Sequence, residues 1–258
     1  MNTTIDRSPT PIVPGTEADQ LAQAAYDQLQ SLLRELRPQD WEQRTECAPW
    51  TVRDMVAHMA GAAQGHASLP IMLRQTIQGA RHKGEFQGNS LDAMNEIQIR
   101  SQAGRTGEQL SEMLIELAPR AIRGRWRGAR WLGFAPIPID ATGSTAGFPS
   151  RVSMRHLCAV VLTRDVWMHK FDIGRALRTE VPMDDTDTRL VADVAAEWQR
   201  QHGHPVRLEL SGPAGGRWQW GEGDTLSLDA IDFCRVVAGR RPEQPVSSHP
   251  LLDQRILF

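Results

Sequence analysis

The chain has 258 residues, of which 40% are hydrophobic and 23% charged, and its formal net charge is −2. This composition is typical of a globular domain and lacks the basic excess of a dedicated nucleic-acid-binding protein. It contains no run of about 18 apolar residues, so we expect no membrane span.

The compartment is predicted from the N-terminus and the cysteines. Residues 1–14 are polar and Pro-rich and lack the apolar segment of a signal peptide. The three cysteines lie far apart in the sequence, which favours free thiols over a disulfide framework. We therefore expect a cytoplasmic protein.

Helical periodicity dominates the first 180 residues. Residues 1–15 are predicted to be a flexible arm, and leucines at helical spacing predict a helix from Thr16 to about Leu36. Thr51 followed by Asp54 predicts the N-terminus of a second helix. Further helices are predicted over roughly 69–79, 91–117 (with a break near Gly104 and Gly107), 151–177 and 187–201.

Residues 123–150 interrupt this pattern with several glycines, prolines and arginines. We predict a long irregular loop here, and such loops inside compact domains are often functional. Trp126, Trp131 and Phe134 could form an aromatic lid over a site, or could anchor the loop by packing. We expect substrate selection in this segment.

After residue 205 the periodicity changes from helical to alternating. Strands are predicted over 206–210, 217–220 and 225–228, followed by a short helix over 230–238. The predicted fold is mainly α: a helical bundle over 16–180, followed by a small α/β C-terminal domain over 181–258.

Two histidines and one carboxylate form a candidate metal site. Asp165 and His169 are four residues apart, hence neighbours on one helix surface, beside the apolar stripe that faces the core. A buried carboxylate without a partner is costly, and a divalent metal bound by both residues would offset that cost. His58 lies at the edge of its own apolar stripe, and a bundle can place it opposite the pair. An ordinary hydrogen-bonded Asp–His pair is the alternative.

Three segments, 50–58 (WTVRDMVAH), 164–173 (RDVWMHKFDI) and 229–241 (DAIDFCRVVAGRR), resemble motifs of the mycothiol-dependent maleylpyruvate isomerase-like family of the DinB superfamily. The resemblance implies a DinB-like four-helix bundle with a divalent metal, usually zinc, bound by His58, Asp165 and His169. It also implies mycothiol or a similar low-molecular-weight thiol as cofactor. Members of the family often carry Glu where this chain has Asp165.

Other residues are weaker candidates. Asp172 could accept a hydrogen bond from a ligand imidazole, or could instead pair with a local arginine. Arg151, Arg164 and Trp131 are candidates for binding the thiol cofactor or an acidic substrate, although arginines on helices usually lie on solvated faces.

These features together predict a metal-dependent, thiol-using enzyme: a mycothiol-dependent isomerase or S-transferase acting on a small electrophilic metabolite. One alternative is a DinB-fold metal-dependent hydrolase or lyase of secondary metabolism that uses no thiol. Another is a non-catalytic metal-binding stress or regulatory protein. The expected partners are small molecules, with neither nucleic acid nor membrane, and the expected state is a monomer or homodimer.

Overall fold

The structure is a computed structural model that describes residues 9–12, 14–47, 49–140, 142–242 and 249–258. The chain forms two compact units, Pro14–Val181 and Pro182–Phe258, the latter with the described N-terminal residues. Ile12 is buried, and its N–H donates to Asp193 Oδ1 at 2.6 Å. The flexible arm stays a prediction for residues 1–8 and 13, which lie outside the described residues.

Most of the first unit is helical. Its helices are α1 (Thr16–Arg34), α2 (Val52–Ala67), α3 (Leu69–His82), α4 (Ser90–Arg100), α5 (Gly107–Leu132), α6 (Met154–His156) and α7 (Leu162–Leu177). Short 3₁₀ turns lie at Pro38–Glu42, Lys83–Phe86 and Gly143–Thr145. No described helix is long and apolar enough to cross a membrane.

Four of these helices form a closed ring. Helix α1 contacts α5 and α7, and α2 also contacts α5 and α7, so each member has two neighbours. The hairpin of α3 and α4 packs on the outside of α2. Apolar residues at helical spacing on α1, such as Leu21, Leu29 and Leu33, are buried as the periodicity predicts. This ring is the four-helix bundle expected from the sequence.

The start of α2 agrees with its sequence pattern. The Thr51 hydroxyl accepts from the Asp54 N–H at 3.1 Å, and the Asp54 carboxylate accepts from the Thr51 N–H at 3.0 Å. This reciprocal capping box satisfies two backbone donors that the first turn leaves unpaired. It fixes where the helix begins, and therefore which side of α2 presents His58 to the core.

The prediction of an irregular loop from residue 123 is wrong, because α5 continues to Leu132 through the glycine- and arginine-rich segment. Gly124 does not break the helix; it lies where α5 packs against the backbone at the end of α2. The following connection is partly ordered as a two-stranded antiparallel ribbon of β1 (Pro136–Pro138) and β2 (Arg151–Ser153). The helix expected from residue 151 therefore begins after β2.

A π-helical turn at Leu157–Val161 joins α6 to α7. Such a turn inserts an extra residue into the regular repeat, so the helical face shifts between Leu157 and Asp165. The four-residue spacing of Asp165 and His169 lies wholly inside α7 and is unaffected by that shift.

The second unit has the α/β composition expected from the sequence. It contains α8 (Asp185–His202), β3 (Val206–Ser211), β4 (Gly216–Trp220), β5 (Thr225–Asp229) and α9 (Ala230–Val237). The strand order is β4-β3-β5, with β3 antiparallel to β4 and parallel to β5. Helix α9 packs on this sheet and on α8, and a 3₁₀ turn follows at Pro250–Asp253.

Candidate metal centre

The structure brings the three predicted ligands together in the bundle interior. His169 Nε2 lies 3.3 Å from Asp165 Oδ1, and His58 Nε2 lies 3.8 Å from Asp165 Oδ2. One ligand atom from each residue lies within 4.8 Å of the others. Both imidazoles are buried, whereas the Asp165 side chain is 29% exposed. The cluster is therefore covered on the histidine side and open on the carboxylate side.

Each imidazole is held through its other ring nitrogen. His169 Nδ1 lies 3.0 Å from Asp172 Oδ2, and His58 Nδ1 lies 2.9 Å from Gln98 Oε1. Both partners are acceptors, so both Nδ1 atoms donate a proton. In the neutral rings, the two Nε2 lone pairs then face the Asp165 carboxylate, an arrangement that a cation between them would stabilise.

The electrostatics of the metal-free cluster favour a positive charge beside Asp165. Burial opposes ionisation of His169, but the carboxylates of Asp165 and Asp172 outweigh it and raise the pKa of His169 to about 9. Burial also opposes ionisation of Asp165, yet the two histidines hold the pKa of this carboxyl well below its usual range. A proton on His169 thus supplies the positive charge when no metal is bound.

Gln98 was missed by the sequence analysis. It is 3% exposed, and its Nε2 donates to Gln75 Oε1 at 3.4 Å, while Gln75 Nε2 donates to the Gly61 carbonyl at 2.9 Å. This relay of amides fixes which end of Gln98 faces His58. The helical pattern of this segment did not indicate a buried glutamine, and the apolar Leu91 of the same helix is 37% exposed.

Two residues before α2 complete the wall of the cluster. The Trp50 ring lies 5.1 Å from the His58 ring and 6.5 Å from the His169 ring, between centroids. Cys47 Sγ donates to Asp172 Oδ2 at 3.8 Å. Neither residue has a sequence spacing that would have placed it beside His169.

The remaining candidates lie in different environments. Arg151 is exposed on β2, and Arg164 on α7 is completely buried. Trp131 and Phe134 are 89% and 85% exposed, so neither ring covers the cluster in this structure. Trp126 is part of α5, and its Nε1 donates to Asp19 Oδ1 at 2.7 Å, which agrees with an anchoring role. Binding of a thiol by Arg151, Arg164 or Trp131 stays a prediction.

Two nitrogens and one carboxylate are a ligand set suited to zinc and similar divalent metals. Structural zinc sites have four protein ligands, whereas three leave a position for water or substrate. The donor set, with both Nε2 atoms directed at the open carboxylate, therefore fits a catalytic metal.

A family model and two solved structures match the chain. The family model described as the Mycothiol maleylpyruvate isomerase N-terminal domain matches residues 22–174, a span that includes all three candidate ligands. No curated protein matches the sequence significantly.

Two solved structures are similar to the chain. The crystal structure of the mycothiol-dependent maleylpyruvate isomerase has a TM-score of 0.54 and 17% identity, covering 90% of this chain and 91% of that chain. A histidine-to-alanine variant of that enzyme has a TM-score of 0.54 and 18% identity, covering 90% and 95%. At these identities the likeness establishes the fold, and it confirms the DinB-like bundle predicted from the sequence.

Proposed function

The chain belongs to the family of the mycothiol maleylpyruvate isomerase N-terminal domain, and from this membership we propose that it is a thiol-using isomerase with a divalent metal. His58, Asp165 and His169 bind the metal, and mycothiol or a similar small thiol is the cofactor. The substrate is a small electrophilic metabolite.

One observation carries the proposal: two buried histidines direct Nε2 at one carboxylate while acceptors hold both Nδ1 atoms. Ordinary hydrogen-bonded Asp–His pairs do not require a second histidine with the same tautomer on another helix. When bound, the metal stabilises the thiolate form of a thiol near neutral pH, which is the nucleophile that isomerisation by addition and elimination needs.

The protein's own residues orient the proposed metal ligands. Asp172 keeps the proton on His169 Nδ1, and Gln98 keeps the proton on His58 Nδ1, so that both Nε2 atoms stay available. Trp50 lies beside both rings and is closer to His58 than to His169. The half-buried Asp165 lies on the side from which small molecules reach the cluster.

The test combines metal analysis with a thiol-dependent assay. We expect about one divalent metal per purified chain, lost in His58→Ala and His169→Ala but retained in His82→Ala, an exposed histidine of α3. Isomerisation of maleylpyruvate should require both the metal and mycothiol. Asp165→Glu introduces the residue that family members often carry at this position, and this variant should keep the metal.

Other outcomes would favour the alternatives. Activity that depends on the metal but not on a thiol would indicate a hydrolase or lyase. Stoichiometric metal without turnover of any electrophile would indicate a binding or regulatory protein. Absence of metal from the wild-type chain, with His58→Ala unchanged in every assay, would refute the metal site itself.

A further inference from the structure

Helix α5 places one arginine, Arg125, in the bundle interior, where part of its guanidinium group has no hydrogen-bond partner among the described residues. Arg125 is 7% exposed, and its Nη1 donates to Thr163 Oγ1 at 3.1 Å. Its Nε and Nη2 have no hydrogen-bond partner among the described residues. A buried guanidinium with two unused donors is costly, so a binding partner is expected.

The Arg125 guanidinium carbon lies 5.9 Å from the centroid of the Trp126 ring, but no carboxylate among the described residues pairs with it at hydrogen-bond distance. The nearest carboxylate oxygen, Asp19 Oδ1, is 4.0 Å from Nη2 and already accepts from Trp126 Nε1. The Asp19 side chain is also 44% exposed, so water screens it. This pair is too long for a hydrogen bond and cannot satisfy the guanidinium.

Two further side chains near Arg125 are neutral at pH 7. Burial and the charge of Arg125 lower the pKa of His66 to about 4. Burial raises the pKa of Tyr26 to about 12, although Arg125 opposes that shift. Neither residue therefore supplies a negative charge to pair with Arg125.

Arg125 lies near the metal cluster. Thr163, which accepts from Arg125, lies two residues before Asp165 in α7. Tyr26 and His66 each interact electrostatically with both Arg125 and Asp165. Arg125 and the Asp165 carboxylate thus share two neighbouring side chains inside the bundle.

We propose that Arg125 is a substrate-binding residue that holds a carboxylate of the small molecule acted on at the His58–Asp165–His169 cluster. Nε and Nη2 form one edge of the guanidinium, and this edge matches the two oxygens of a carboxylate. The inference rests on the proposed function, since it names a substrate-binding residue for the same site. It adds to the three metal ligands a group on a different helix that contacts the substrate.

Binding of maleate, a four-carbon dicarboxylate, tests the proposal by calorimetry on metal-free protein, where the metal cannot coordinate the probe. We expect Arg125→Met to weaken maleate binding at least tenfold, and Arg125→Lys to weaken it less because a charge remains. Arg123→Met, which removes an exposed arginine of the same helix, should bind maleate like wild type. Equal affinity of Arg125→Met and wild type would overturn the proposal, and inorganic phosphate binding as tightly as maleate would overturn the carboxylate assignment.

Thermal unfolding without ligand separates binding from a structural role. Removing an unpaired buried charge should leave Arg125→Met melting no lower than wild type, whereas a clear drop would mean that Thr163 and Asp19 already satisfy the guanidinium. Maleate should raise the melting temperature of wild type but not of Arg125→Met. Metal content is measured in parallel, so that failure of the metal site is recognised independently of the maleate result.

Discussion

Gln98 is the residue on which the orientation of His58 depends. Replacing it with leucine removes the acceptor for Nδ1, so the ring can adopt the tautomer that blocks Nε2. We expect Gln98→Leu to weaken metal binding about 10- to 100-fold, the usual effect of losing such a partner. Competition with a chromogenic chelator measures the affinity.

The matched variants separate hydrogen bonding from packing. Gln98→Glu keeps an acceptor for His58 and should retain most of the affinity. Gln102→Leu changes another buried glutamine, which bonds Gln64 rather than a histidine, and should have no effect on metal binding. Unchanged affinity in Gln98→Leu would show that His58 needs no partner.

His66 should make the folded state sensitive to acid. Its pKa is about 4 in the folded chain because burial and Arg125 disfavour the charged ring, against about 6.5 when unfolded. Between those values the unfolded state binds more protons, so stability falls as pH decreases from about 6.5 to 4. The full shift corresponds to at most about 3 kcal/mol.

The variant His66→Gln removes this contribution. We expect its melting temperature to fall less than that of wild type between pH 7 and pH 4.5, measured by circular dichroism. If the two proteins lose stability in parallel across that interval, the low pKa of His66 is not the cause of the acid sensitivity.

At the scale of elements, the approach of α2 and α5 depends on Gly124. A Cβ at this position would lie 2.0 Å from the His66 carbonyl oxygen, which is backbone and cannot move aside cheaply. We expect Gly124→Ala to destabilise the chain by about 1–3 kcal/mol, despite the higher helix propensity of alanine. Urea denaturation measures the change.

Gly84 provides the control for this substitution. It lies in the 3₁₀ turn Lys83–Phe86, and a Cβ there would meet nothing within 4 Å. Gly84→Ala should therefore be nearly neutral. A Gly124→Ala protein as stable as wild type would mean that the two helices can separate without cost.

The same glycine explains why α5 was predicted too short. In sequence, Gly124, Gly128 and Gly133 within an arginine-rich segment indicate a loop, since glycine is unfavourable in helices. In the structure, close packing against the end of α2 requires a residue without a side chain at 124. A tertiary contact thus selects the residue that local propensity disfavours.

At the scale of the whole molecule, the metal would join two helices of one compact unit. A ligand that binds only the folded chain stabilises it, by about 2.7 kcal/mol at a concentration 100 times its dissociation constant. We expect Zn²⁺ to raise the melting temperature of wild type, and a chelator to reverse this effect. His169→Ala should show neither response.

A control keeps this test specific. His202→Ala alters a histidine of the second unit, outside the cluster, and should respond to Zn²⁺ like wild type. An equal response in His169→Ala would place the bound metal elsewhere.

The sequence by itself determined the helical bundle, the α/β unit and the pairing of Asp165 with His169. Periodicity, capping residues and i, i+4 spacing are local, and they act whatever the rest of the chain does. The motifs shared with a known family added His58, which spacing alone could not bring to the other two residues.

Only the tertiary structure decided the rest. Gln98 faces His58 because the α3–α4 hairpin packs on α2, and Arg125 is buried because α5 continues through glycines into the bundle. Contacts between residues distant in sequence depend on how helices pack, which no single segment encodes. For that reason, only the folded chain reveals the partners that orient the proposed metal ligands. The same holds for the arginine that we propose holds a carboxylate.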